Sequence, residues 1–320
     1  MNANIAQIDT NNFSAMAEMM GMNIDSNPDH KTNMLARLKI QHSSIMGEKI
    51  VDGASMKVEV VDGGSYRLDI PSNGFVYSKN AVIRPFAQRF MYKRFHSNAG
   101  AKPGEPLGTY QKTIMSSDMV TDMKDNMGMF NCGKPAGYIQ DFDSLPQAKK
   151  DLIKQIKRVR VIFGTITMDG AVHESGEAAE CVDVPFIWEI DNRDAFKTMG
   201  EPFTKLGKMQ RLPVQHTISL STEEKKIPTG AVYYVPSCVL DIKNDIKIKE
   251  TDQDLFADFM AWLQNYNDYI CSEWEKHTRS KMSDEDAEKV NVKAQFYSDE
   301  ADNVAKALGH MDEEGNYITE

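Results

Sequence analysis

The chain has 320 residues, 41% of them hydrophobic and 26% charged, with a net charge of -10. That composition is that of a soluble globular chain long enough for one large or two ordinary domains. It excludes a helical membrane protein, because no run approaches the roughly 20 apolar residues a spanning helix needs, and the first twenty residues lack the early Lys or Arg and apolar run of a secretory signal.

The segment Phe13 to Met22 is Met-rich and reads as two turns of amphipathic helix, an arm suited to subunit contacts, followed by a polar linker to residue 33. From Met34 the pattern turns to β. MLARLKIQH alternates, SMKVEVVDGGSYRLDI reads as two strands around Asp62-Gly63-Gly64, and NGFVYSKNAVIRPFAQRFMYKRF as another pair around Ser78-Lys79-Asn80. Pro85 inside the last of these predicts an edge or a bulge. Residues 98–108 are a loop by composition and Thr109 to Met115 a further strand.

Leu145 to Lys157 fits a helix with Pro146 in its first turn, running into KRVRVIFGTITM, the strongest β run of the chain. An acidic loop follows, then the strand VPFIWEI and a helical piece DNRDAFKTM stopped by Gly200 and Pro202. VQHTISLS through AVYYVPSCVLDI reads as a hairpin with a longer loop, closing the β-rich body near Asn244. Thr251 to His277 is the clearest helix, with a capping-box-like start at Thr251 and Asp254. Leu255, Phe259, Trp262, Tyr266, Ile270 and Trp274 form its apolar stripe, which periodicity assigns to core packing. Close-spaced Gly and Asn turns predict an α+β protein: a β-rich, OB-like barrel or sandwich body with peripheral helices and a C-terminal helical region. The expected organisation is an arm (1–33), the body (34–244), C-terminal helices (245–309) and an acidic tail (310–320).

Charge is distributed unevenly. Residues 299–320 hold seven carboxylates against Lys306, a net -6, which leaves only -4 for the rest. Between Asp69 and Glu105 there is no acid, while Lys79, Arg84, Arg89, Lys93, Arg94 and Lys102 sit beside Phe75, Tyr77, Phe86, Phe90, Tyr92 and Phe95. A second basic run, Lys149 to Arg160, contains Lys157, Arg158 and Arg160; two-residue alternation puts Arg158 and Arg160 on one face and Val159 and Val161 on the core face. Cations that neutralise phosphates, mixed with rings on which bases stack, are the ingredients of a single-stranded nucleic-acid groove. The candidate binding residues are therefore Lys79, Arg84, Phe86, Arg89, Phe90, Tyr92, Lys93, Arg94, Lys157, Arg158 and Arg160. The competing reading is ordinary strands with solvated basic faces.

Nucleotide-loop, metalloprotease, hydrolase-elbow and EF-hand motifs are absent, and no catalytic residue or cofactor is expected. His173, Glu174, Glu177, Glu180, Cys181 and Asp183 form the one metal-like constellation, with spacing that matches no standard site. It would be needed by a metal-dependent nuclease, the least favoured reading; a structural or assembly protein is the runner-up. The four cysteines are isolated in sequence and are expected as reduced thiols of a cytoplasmic protein.

A β-rich body with basic-aromatic strands, followed by helices and a detachable acidic C-terminus, resembles the layout of bacteriophage single-stranded-DNA-binding proteins. The resemblance covers most of the chain and rests on layout, not on a signature motif. It implies sequence-independent binding of single-stranded DNA in replication or recombination, in the cytoplasm of an infected host. It further implies an acidic tail that engages replication or recombination proteins; homo-oligomerisation is also expected, and a membrane is not.

Overall fold

A computed structural model of the protein describes residues 35–51, 54–71, 73–98, 100–117, 132–133 and 141–279. The expected Met-rich arm, the helices after residue 279 and the acidic tail lie outside the described residues.

The body is mixed α+β, built on a mostly antiparallel nine-stranded sheet. Its strands are β1 (Ala36–Ile40), β4 (Tyr66–Ile70), β5 (Gly74–Ser78), β6 (Ala81–Ser97), β7 (Gly108–Lys112), β8 (Ile156–Thr167), β9 (Val184–Ile190), β10 (Ile218–Lys226) and β11 (Val232–Leu240). Their order is β11-β10-β6-β8-β9-β1-β4-β5, with β7 beside the far end of β6. β2 (Ile45–Val51) and β3 (Ala54–Val61) form a separate two-stranded ribbon. The helices are α1 (Gln147–Gln155), α2 (Arg193–Thr198), α3 (Glu201–Lys208) and α4 (Glu250–Arg279). None of them is long and apolar enough to cross a membrane.

β6 is the strand around which the sheet is built. It pairs with β8 from Val82 to Arg94, while β10 takes its start and β7 its end. Pro85, with no N–H to donate, sits at a bulge between Pro85 and Ala87, so the bulge expectation holds and the edge does not. Gly164 is required opposite, since a Cβ there would come within 2.3 Å of the Arg84 carbonyl oxygen.

Two packed faces follow from strand alternation. On one, Phe86, Ala87, Met91, Val159, Val161 and Phe163 are buried beneath Phe259 and Leu263 of α4. The α4 stripe also anchors through its polar tips: Tyr266 O–H donates to Thr113 O, Trp274 Nε1 to Lys112 O, and Asn267 bonds both backbone groups of Met115. On the other, Leu38, Tyr66, Ile83, Ile162, Phe186 and Trp188 pack with Ala195 and Met199 of the α2 segment and Phe203 of α3.

The sheet curls but its ladder stays open, so the barrel expectation reduces to an α+β body with an open sheet. β10 and β4 meet through Tyr66 O–H on Ser221 O (2.8 Å) and Thr222 Oγ1 on Gly64 O (2.6 Å), with no strand ladder between them. The strands expected around the two turns form, but the turns do not set their pairing. The strands flanking Asp62-Gly63-Gly64 are β3 and β4, yet they pair with β2 and with β1 and β5 instead of each other. Likewise β5 and β6 flank Ser78-Lys79-Asn80 without pairing. The helical piece ends at Thr198, before Gly200 as expected, but a further helix starts at once, with Pro202 in the first turn of α3, where its missing N–H costs nothing.

Candidate nucleic-acid interface

The expected binding residues divide into an interior set and a surface set. Arg84 is interior: its Nη1 and Nη2 bond Asp252 at 2.7 and 2.8 Å and its Nε bonds Val214 O, with side chains only 16% and 10% exposed. Asp252 also accepts the Lys249 N–H, so it is Asp252, and not the expected Thr251 and Asp254 pair, that caps the start of α4. The Arg84 hydrogen bonds hold the Asp252 carboxyl below its ordinary range, more than offsetting burial. Phe86 is interior too, 7% exposed and edge-on to Phe259 at 5.5 Å. Both residues thus leave the candidate surface and become the joint between sheet and α4. Arg89 lies on the same face, its guanidinium bonded to Gln88 O and against Met260 of α4.

Gln88, Phe90, Tyr92 and Arg94 point to the opposite face, directly across from Arg160 and Arg158 of β8. Tyr92 is buried and its hydroxyl accepts from Arg158 Nε; Arg94 Nε donates to Gln155. Phe90 packs on Phe196 and beneath the Arg160 guanidinium. The two basic runs therefore share one face at Arg94, Arg158 and Arg160. Lys93 and Lys157 take the α4 face, where both hold Asp191, at 2.9 and 3.2 Å. Burial raises the Asp191 carboxyl and the two lysines lower it further, for a net downward shift. Lys79 makes an exposed pair with Asp62.

An opening lies elsewhere. β1 and β9 are parallel neighbours, and their ladder covers only Ala36↔Phe186 and Arg37↔Ile187. A groove of about 890 Å³ is lined by the residues that follow on both strands, with Trp262 of α4 on one face and Asn192 and Ala195 beside α2 on the other. The cations of the lining are Arg37, Lys39, Lys93 and Lys112, and its carboxylates are Glu189 and Asp191. Lys112 Nζ bonds both oxygens of Glu189 at 2.8 and 2.9 Å, and Lys93 holds Asp191. Arg37 and Lys39 are exposed and have no ion pair among the described residues.

Rings complete the groove. Tyr110 is 50% exposed with Lys93 Nζ 4.9 Å from its centroid. Tyr234 stacks on His42 at 6.5 Å, and its backbone N–H donates to His42 Nδ1. Its ring lies where a Cβ of Gly64 would fall, at 2.6 Å, and Gly64 also has φ +83°, so glycine is needed there twice over. Tyr233 is half-buried and touches Asp194.

Of the residues expected from sequence, only Lys93 lines this groove. Arg37, Lys39, Lys112, Tyr110, Tyr233 and Tyr234 were missed. The signal for the first two was present, because the alternation of ARLKI already put Arg37 and Lys39 on one polar face. In the 173–183 loop, Glu174 accepts from Tyr77 O–H at 2.6 Å and His173 Nδ1 meets Phe75 O. Among the described residues no three metal-ligating side chains are gathered there or elsewhere. No family model, characterised protein or solved structure matches this chain.

Proposed function

We propose that the protein binds single-stranded DNA without sequence preference, along the groove between β1, β9 and the β10–β11 hairpin. The observation that carries this reading is the pair Arg37 and Lys39, two exposed cations without ion pairs beside Tyr110, Tyr233 and Tyr234. Cations that follow the backbone and rings that accept any base face are the two requirements for such binding. A curled antiparallel sheet bearing a basic, ring-lined groove is also the working part of OB-type binders. The acidic tail is proposed to compete with the strand for the groove or to engage replication or recombination proteins.

Fluorescence anisotropy with labelled oligo-dT and its duplex, across a salt series, tests this. The expected result is tight binding to the single strand that weakens steeply with salt. The double variant Arg37→Ala/Lys39→Ala should lower the log–log salt slope by about 1.4, at about 0.7 per phosphate contact, and truncation after Gly309 should tighten binding. No binding at low salt sinks the proposal. A second reading, assembly through homo-oligomers, is favoured by β11. Its outer edge has no strand partner among the described residues, and Val239 on it is 70% exposed. Light scattering of the native chain and of Val239→Lys reads that directly.

A further inference from the structure

Arg160 lies in the middle of the sheet, on β8 opposite Phe90, and is 7% exposed. Its guanidinium carbon sits 5.1, 4.6 and 6.0 Å from the ring centroids of Phe90, Phe196 and Phe203. Nε donates to Phe196 O and Nη1 to Gln88 Oε1. Neither acceptor carries charge. No carboxylate pairs with this guanidinium and no acceptor meets Nη2 among the described residues. Cation–π contacts recover part of the lost hydration, but a buried cation without an anion is otherwise costly. Burial accordingly pulls the guanidinium down to about 10.

The surroundings of Nη2 are open. A cleft of about 580 Å³ lies between α2 and α3, with Arg160 in its wall and Lys197, Lys205 and Lys208 around it. These three lysines are exposed and have no ion pair among the described residues. Glu201 is the one carboxylate of the lining, and no ion pair joins it to Arg160. Gly200 completes the opening: its φ of -83° is ordinary for any residue, but a Cβ would stand 2.5 Å from Nη2. Glycine there leaves room beside the guanidinium tip, which a Cβ would have to displace.

We propose that the cleft between α2 and α3 is an anion site for a phosphoryl group, bound by Arg160 Nη2 and by Lys197, Lys205 and Lys208. Because Nε and Nη1 are already engaged, Arg160 contributes one nitrogen and a fixed charge, and the lysines act as adjustable point charges. The phosphoryl group is either free phosphate or a backbone phosphate of a strand that leaves the groove over α2. The helix makes the second source geometrically direct, since Asn192 and Ala195 line the groove while Phe196 and Lys197 line the cleft. The site stands independently of the groove proposal.

The test is calorimetric titration of the full chain with inorganic phosphate at constant ionic strength set by chloride, repeated with saturating oligo-dT present. Native protein is expected to bind phosphate, and Arg160→Met and Lys205→Ala/Lys208→Ala each to weaken it about tenfold. The lysine pair is exposed and keeps the test valid if Arg160→Met fails to fold. Arg37→Ala/Lys39→Ala should leave phosphate binding unchanged. Competition between oligo-dT and phosphate supports a strand phosphate as the occupant, and simultaneous binding supports free phosphate. No phosphate binding beyond chloride, or binding that survives both Arg160→Met and the lysine pair, overturns the proposal. Phosphate binding without oligo-dT binding would sink the groove reading alone.

Discussion

Arg84 and Arg160 sit on neighbouring strands and are both withdrawn from water, but their environments differ in one respect. Arg84 meets a carboxylate in a two-point fork and ties three elements together: β6, the backbone at Val214 and the start of α4. Arg160 meets three phenyl rings, a carbonyl and an amide, and no carboxylate among the described residues. A buried guanidinium with its anion inside the fold is a joint. Arg160, beside an open cleft, is the one we propose takes its anion from outside the fold. The same contrast separates the α4 face around Arg84, filled by Phe86 and Phe259, from the α2–α3 face around Arg160, which keeps an entrance.

The largest expected effect breaks the first side of that contrast. Arg84→Met leaves Asp252 buried without its partner and should cost about 3 kcal/mol or more in urea unfolding, whereas Arg84→Met with Asp252→Leu should recover most of the loss. The same pair sets an acid limit. The folded Asp252 carboxyl lies below its ordinary value, so its contribution is complete above about pH 4, the ordinary Asp value, and is lost as pH falls through the lower folded value. Native protein should lose stability across that window, and Arg84→Met should flatten the acid limb of a stability–pH profile. Arg160→Met is the sharpening case. It orphans no carboxylate, so its cost should stay within about 1 kcal/mol while phosphate binding weakens about tenfold. A loss as large as that of Arg84→Met would remove the distinction between the two arginines.

Smaller effects locate the wall between groove and cleft. Asn192 caps α2 by accepting the N–H groups of Asp194 and Ala195, and Asn192→Ala should cost about 1 kcal/mol, read as a lowered Tm. The smallest belongs to Lys79, whose exposed pair with Asp62 should be worth less than about 0.5 kcal/mol, so Lys79→Ala should leave Tm nearly unchanged.

Much of the secondary structure was legible. The β8 run, the β10–β11 hairpin and α4 declared themselves through period-2 and 3.6 patterns, and the α4 stripe proved to be packing, as periodicity assigned it. Partnerships were not legible. Asp62-Gly63-Gly64 has the chemistry of a turn, but β3 pairs back onto β2 and β4 onto β5 and β1, so the turn joins two strands that do not pair, and a turn signal by itself does not say whether its flanks pair. In the same way a basic-aromatic window cannot announce that Arg84 will meet Asp252, 168 residues away.

What the sequence determined by itself was the local alphabet: strand faces, the long amphipathic helix, and a surplus of cations and rings without acids over residues 70–104. Side-chain direction follows from a two- or 3.6-residue repeat, and those repeats are written in the chain. Only the tertiary structure decided which cations are neutralised. Ion pairing depends on separations of a few ångströms between residues far apart in sequence, and it moved the open charges from Arg84 and Lys93 to Arg37, Lys39 and the Arg160 cleft.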